Sequence, residues 1–557
     1  MKNLTRFFSS QFEKLNGTIE RFYLPFILMI ALFFTTSCMT LGNLNFNDEA
    51  FKILTKVAYT LAFGIFTCTL AKVLYEKYFQ NKINKTAIDA IALILSSIPY
   101  ILLHIYGYNA LLIIGLDGIV ISEILFILYF SKTDSMSETF SHFLKSLLFN
   151  FFACAIIFGG VSICILAFTI LIHNFKDSYK AYLIFGEFVG IVLFGTMLSS
   201  VIPTVGSKIK IPKVFNIIVS KIMVPLYVLL LSILYVYLGK ILFTWTFPSG
   251  QVNWFVSFSS LLFVFFAFSL SQYKSENKAI NLFLKFGGLA IIPTIAMQFV
   301  AIYIRVSNYG LTTSRYVSII LNVFALVFAI MFLLKREKSL KHALIVLTGF
   351  VLLITVTPLN IIDVPMREQS QRLKMLLSNN SMLTNDIIVP DGSISLEEKS
   401  KIIESYRYVK GNFEASNHKP AFLNKDLIDK LEKEIFGFEK SYNYNSDQRS
   451  RIDFSYDYDH IEIGNYSKLY SSFSLFTEGN KVTINPNGKT QIVEGFYEHL
   501  KNMYLKHKES GESKITTEKI EYEYDNKKLI ILNVGMYYDN DQVLKISFYN
   551  NSYLLEK

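Results

Sequence analysis

Residues 110–130 read ALLIIGLDGIVISEILFILYF, an apolar run interrupted by two charges, Asp117 and Glu123. A bilayer core about 30 Å thick needs roughly 20 apolar residues in a helix, and this run has that length. Outward from it, ten further stretches of the same kind lie at about 22–41, 55–75, 88–107, 147–172, 182–203, 222–243, 252–271, 283–304, 316–334 and 341–358. Short loops make hairpins of the third and fourth stretches and of the tenth and eleventh. The expectation is an α-helical polytopic membrane protein, with about 11 transmembrane helices and a C-terminal α+β soluble domain.

Composition agrees. Of the 557 residues 52% are hydrophobic and 18% charged, where soluble proteins carry roughly 25% charge. From residue 361 onward there are 26 basic and 30 acidic residues; the remainder holds 28 and 14. The overall charge of +10 therefore belongs to the loops of the apolar part, where it sets orientation. No basic patch with interleaved aromatics occurs in the soluble part, so nucleic acid is not an expected partner. Cys38, Cys68, Cys154 and Cys164 all lie in apolar stretches, which leaves the C-terminal part without disulfides.

The loops alternate. Lys2, Arg6, Lys14 and Arg21 precede the first stretch, and every even-numbered loop is basic, while the first, third and seventh are almost free of Lys and Arg. The positive-inside rule then places the N-terminus in the cytoplasm of a bacterial cell, and eleven crossings place the C-terminus outside. Leu4, Phe7, Phe8, Phe12, Leu15 and Ile19 repeat at helical spacing, as in a helix lying in the membrane interface. A signal peptide ending at Thr35-Thr36-Ser37-Cys38 is the weaker reading, because the region before the apolar run is too long. The division expected is an interfacial helix at 1–21, a membrane domain at 22–360 and an extracytoplasmic domain at 361–557.

A charge at the bilayer centre costs at least about 2.5–3.5 kcal/mol, so Asp117, Glu123 and Glu187 form the candidate intramembrane polar site. Glu123 lies six residues from Asp117, roughly 240° around a helix, so the two are not one paired-carboxylate site. Arg305, Tyr309, Thr312 and Arg315 form a candidate external loop for an anion or other ligand. Its arginines offer forked donors, and a helix N-terminus at Thr312 favours negative charge. The competing reading is a capped hairpin whose arginines pair with Asp117 and Glu187 or with lipid phosphates.

The segment Arg305-Val-Ser-Asn-Tyr-Gly-Leu-Thr-Thr-Ser-Arg-Tyr316 resembles a motif of the bacterial membrane family called domain of unknown function 4153. Supporting pieces are Leu234-Tyr235-Val-Tyr237-Leu-Gly-Lys240, Trp245 with Pro248-x-Gly250-x-Val252, Asp363-Val-Pro365 and Gln371-Arg372-Leu373. The resemblance covers roughly residues 20–380. It implies a multi-pass membrane protein and carries over no catalytic residue.

Beyond residue 361, helices are expected near 396–408, opened by a capping box at Ser395 and Glu398, and near 424–437 and 491–508. Strands are expected at about 451–456, 460–464, 472–477, 481–485, 517–524, 528–537 and 542–549. His418, His460, His499 and His507 lack metal-ligand spacing, and no nucleophile constellation occurs. Asp453, Asp457, Asp459 and Glu462 lack the calcium-loop pattern. Neither metal nor cofactor is expected, and an enzyme is the least supported class. A transporter or permease using the intramembrane carboxylates for a small molecule or ion leads. The alternative is a sensor or envelope scaffold whose external domain binds a ligand or protein partner.

Overall fold

The computed structural model describes residues 15–42, 49–80, 82–131, 135–171, 177–204, 216–244, 252–274, 277–438, 452–455, 465–471, 473–478, 481–485, 490–508, 514–515, 519–538, 544–548 and 552–557. Eleven helices among them are long and apolar enough to cross a membrane. They are Tyr23–Leu41, Glu49–Phe79, Lys85–Ile105, Ala110–Ser131, Met136–Thr169, Tyr179–Ser200, Ile218–Thr244, Phe255–Tyr273, Lys278–Tyr309, Thr313–Lys335 and Lys338–Thr355. They are called here the first to eleventh spans.

Three spans clearly outrun the apolar stretches that announce them. The second covers Glu49–Phe79, the fifth begins at Met136 and the ninth covers Lys278–Tyr309, because polar residues at their ends continue the helix. The Asn277 side chain caps the ninth span by accepting from Ala279 and Ile280, and Gly310, at φ 72° and ψ 174°, stops it. The third span is hinged at Ser97, between Lys85–Ser96 and Ile98–Ile105, where Pro99 cannot donate to the preceding turn. Pro293 likewise removes a donor inside the ninth span, and the Tyr235 hydroxyl of the seventh donates to the nearby Ala290 carbonyl at 2.7 Å.

The eighth span is central, with 61% of its apolar window buried, whereas the fifth, with 6%, is peripheral. Phe263, Phe266, Phe328 and Phe332 lock the eighth span to the ninth and tenth; Phe263 meets Phe332 edge-on at 5.9 Å. Such a pair adds about 0.5–1.5 kcal/mol to its area burial. A smaller apolar cluster joins Phe63 of the second span, Leu103 of the third and Leu116 of the fourth.

The chain forms two compact units, residues 1–390 with 401–436, and residues 391–400 with 437–557. In the first unit the spans are followed by helix Asp363–Asn379 and a two-stranded hairpin, Leu383–Thr384 with Ile387–Ile388. Asn385 and Asp386 both have positive φ there, the requirement of a two-residue hairpin turn. Residues 401–412 of helix Leu396–Asn412 and the turns Lys425–Ile428 and Glu432–Phe436 complete the unit. The single helix expected near 424–437 is thus two short pieces, with Gly437 at φ 79° after the second.

The second unit is α+β. Two four-stranded sheets, ordered Lys468–Ser471, Ser552–Glu556, Lys527–Ile531, Ile520–Tyr524 and Leu544–Phe548, Asn533–Tyr538, Ile452–Ser455, Lys514–Ile515, accompany a meander over Ser474–Glu478, Lys481–Asn485 and Gln491–Val493. All strand pairs are antiparallel except Ile452–Ser455 with Lys514–Ile515. Helix Phe496–Lys508 buries Phe496, Leu500 and Tyr504 among Val482, Leu529, Val534 and Met536. The strand expected over 528–537 is two strands in different sheets, because the chain bends at Leu532. The expected strand 460–464, the carboxylates Asp457, Asp459 and Glu462, His460, and residues 1–14 of the interfacial helix lie outside the described residues.

Candidate functional site

The three intramembrane carboxylates each meet a different set of hydroxyls. Asp117 accepts from the Tyr59 hydroxyl of the second span. Glu187 of the sixth span accepts from three hydroxyls of the first: Thr36 and Ser37 at 3.0 Å on Oε2, and Thr40 at 2.7 Å on Oε1. These hydroxyls satisfy both carboxyl oxygens, and the contact ties the two helices together. Glu123 is 9% exposed; its Oε1 accepts from Thr67 at 2.8 Å, while among the described residues Oε2 meets no donor. A buried carboxylate oxygen without a donor costs free energy and marks Glu123 as the unusual member of the three.

The candidate loop between the ninth and tenth spans is clamped by helix Asp363–Asn379. Leu311 N–H donates to Glu368 at 2.5 Å, and the Gln369 amide spans the turn, donating to the Tyr309 carbonyl at 3.1 Å and the Leu311 carbonyl at 3.2 Å. Arg372 donates to the carbonyls of Ser307 at 3.1 Å and Asn308 at 2.5 Å. Arg315 reaches neither Asp117 nor Glu187: it donates to the Gly310 carbonyl at 2.5 Å and lies over the Tyr309 ring. Arg305 is a charged neighbour of Arg315. Thr312 is the N-cap of the tenth span but makes no side-chain cap bond; instead the Tyr408 hydroxyl sits 3.0 Å from Thr313 N and 2.8 Å from its hydroxyl. The loop's polar groups are spent on holding helix 363–379 in place. Sequence reasoning missed Glu368, Gln369 and Tyr408, which stand among unremarkable polar residues.

At the start of that helix, Asp363 is 4% exposed. Burial pushes its carboxyl up, but the Ser416 hydroxyl, the Asn360 amide, the Asn417 N–H and the Arg367 charge outweigh it and hold it below the usual range. Burial also raises Glu368, which Leu311 N–H, Arg372 and Arg315 only partly offset.

Asp363 and Arg367 stand at the mouth of a cavity of about 710 Å³. Its walls are Leu102 of the third span, Leu111, Leu112, Leu116 and Ile119 of the fourth, and residues 355–358 at the end of the eleventh; Asn360, Asn417 and His418 complete the polar rim. Arg367 donates to the Pro358 carbonyl at 2.5 Å. An apolar pocket of this size with a few polar groups at one end is the usual form of a small-ligand site. Gly118 allows the walls to meet: a Cβ there would lie 2.6 Å from Thr355 Cβ.

The wall and the unusual carboxylate lie on one stripe. Leu112, Leu116, Ile119 and Glu123 are spaced i, i+4, i+7, i+11, so Glu123 falls about 20° from Leu112 around the helix and roughly 16 Å further along it. Between them sits the Phe63–Leu103–Leu116 cluster, a layer of apolar side chains.

Eleven apolar spans and helices packed on one end of them define a multi-pass integral membrane protein. The chain belongs to the family described as domain of unknown function (DUF4153), whose profile matches residues 23–388. No curated protein and no solved structure matches it. Three pieces of the motif, Arg305–Tyr316, Asp363–Pro365 and Gln371–Leu373, are brought together as the clamped loop and the helix that clamps it. Trp245 and Pro248–Gly250 lie outside the described residues.

Proposed function

We propose that the protein is a permease-like transporter of the bacterial cytoplasmic membrane. In this reading a small ligand enters the cavity beneath Arg367 and a proton is exchanged at Glu123. The observation that carries it is the single stripe on the fourth span, apolar at the cavity and ending at a buried carboxylate with one oxygen that meets no donor among the described residues. Charges inside a membrane are retained for ion or substrate handling more often than elsewhere, and among the described residues Glu123 is the member of the three with a buried oxygen that meets no donor. The basic even-numbered loops support a cytoplasmic position for their own side and for the N-terminus. The cavity mouth and the C-terminal unit then face outward. Asp117 and Glu187 hold neighbouring helices in register around this path.

One observation favours a second reading. Arg367 at the cavity mouth is on the same helix as Glu368, Gln369 and Arg372, which grip the ninth-to-tenth loop. A ligand at Arg367 would therefore act on the element that couples cavity and spans, as a sensor requires. A thermal-shift screen of ions, amino acids, nucleotides and sugars on purified full-length protein tests both, since a ligand of the folded state raises its melting temperature. Transport predicts a hit weakened in both Arg367→Gln and Glu123→Gln. A hit that depends on Arg367 and ignores Glu123 favours the sensor, and a panel without any hit removes the support for either.

A further inference from the structure

The other end of the bundle carries a second hollow, at the basic loops and some 26 Å along the eleventh span from the first cavity. It has two adjoining lobes, of about 650 Å³ and 430 Å³, which share Ser271, Lys274 and Glu337. Lys338 and Lys341 stand over the larger lobe, and Lys285 and Arg336 over the smaller. Buried Ser137 and Ser271 are part of its lining.

Two cations converge on its wall. Lys77 of the second span and Lys341 of the eleventh both lie against the ring of Tyr129, at 5.9 Å and 5.8 Å from its centroid, and Tyr129 lines the larger lobe. Arg336 adopts φ 51°, a strained conformation for a residue with a side chain, and donates to the Leu284 carbonyl at the smaller lobe. Against these cations stand two carboxylates, Glu138 and Glu337, the second paired with Lys274 at 3.0 Å. Gathering ammonium groups around one hollow costs repulsion that an anion relieves, and positive-inside loops do not by themselves require a concave site.

We infer that this hollow binds a phosphate-bearing anion, either the headgroup of an anionic lipid or a free phosphorylated solute. Basic pockets between spans on the positively flanked side suit either source. The site is independent of the permease reading and of the cavity at the opposite end.

Two arms on detergent-purified full-length protein test it, each with wild type and the Lys338→Gln/Lys341→Gln variant. In the first, inorganic pyrophosphate is titrated in a thermal-shift assay. In the second, the protein is exchanged into phosphatidylcholine nanodiscs with and without phosphatidic acid, and retained lipid is counted by native mass spectrometry. A melting-temperature rise that the variant loses supports the site and assigns a free phosphorylated ligand. Phosphatidic acid retained by wild type and lost in the variant supports it and assigns a lipid headgroup. Absence of both effects, or effects of equal size in a variant that melts as wild type does, overturns the proposal.

Discussion

Asp363 and Glu368 sit five residues apart on one helix, and their environments push them in opposite directions. Asp363 is held anionic by Ser416, Asn360, Asn417 and Arg367. Its stabilising contribution is present above the unfolded carboxylate value and is lost as pH falls through its depressed folded value. Asp363→Ala leaves three donors facing an empty site and is expected to cost about 2–3 kcal/mol, read as a lower melting temperature at pH 7. Glu368 is raised by burial, so its contribution is present below the unfolded value and fades as pH rises through the folded one. Glutamine still accepts from Leu311 N–H without the buried charge. Glu368→Gln should therefore melt no lower than wild type at pH 7 and show a flatter melting profile between pH 4 and 7. A variant markedly less stable at pH 7 would show that the carboxylate charge is needed.

Among the elements, the clamp between helix 363–379 and the ninth-to-tenth loop depends on one backbone position. At φ 72° and ψ 174° Gly310 occupies a region nearly reserved for glycine, and an added Cβ would collide with the Gln369 side chain. Gly310→Ala should cost about 1–3 kcal/mol and speed amide exchange over residues 305–312, as hydrogen-exchange mass spectrometry would record. Unchanged exchange there would mean that the clamp does not hold the loop. This contact also marks where sequence reading runs out. The spans were legible because roughly 20 apolar residues in a row leave little alternative, and Asp117, Glu123 and Glu187 stood out inside them. Tyr59, Thr67, Thr36 and Thr40, which donate to those carboxylates, did not, because a hydroxyl in an apolar helix has no pattern of its own. The Arg305–Tyr316 loop read as a ligand site because its residue types suit one. Its hydrogen-bond partners lie some sixty residues later in a helix of ordinary composition.

At the largest scale, the helical bundle of the first unit has two ends with different chemistry. One holds an apolar cavity rimmed by Asp363, Arg367 and His418, and the other a hollow surrounded by lysines. The cavity was not legible in the sequence, since its walls come from the third, fourth and eleventh spans and its rim from residues as distant as His418. What links it to the membrane interior is the fourth-span stripe ending at Glu123. That carboxylate is buried beside Thr67, beyond the Phe63–Leu103–Leu116 layer, a setting that supports the proposed proton exchange. The most direct measurement uses proteoliposomes enclosing a pH-sensitive dye, to which ions, amino acids, nucleotides and sugars are added one at a time. The account predicts that at least one addition changes the internal pH with wild-type protein and fails to do so with Glu123→Gln. No pH change for any addition, or the same change with Glu123→Gln, would contradict it.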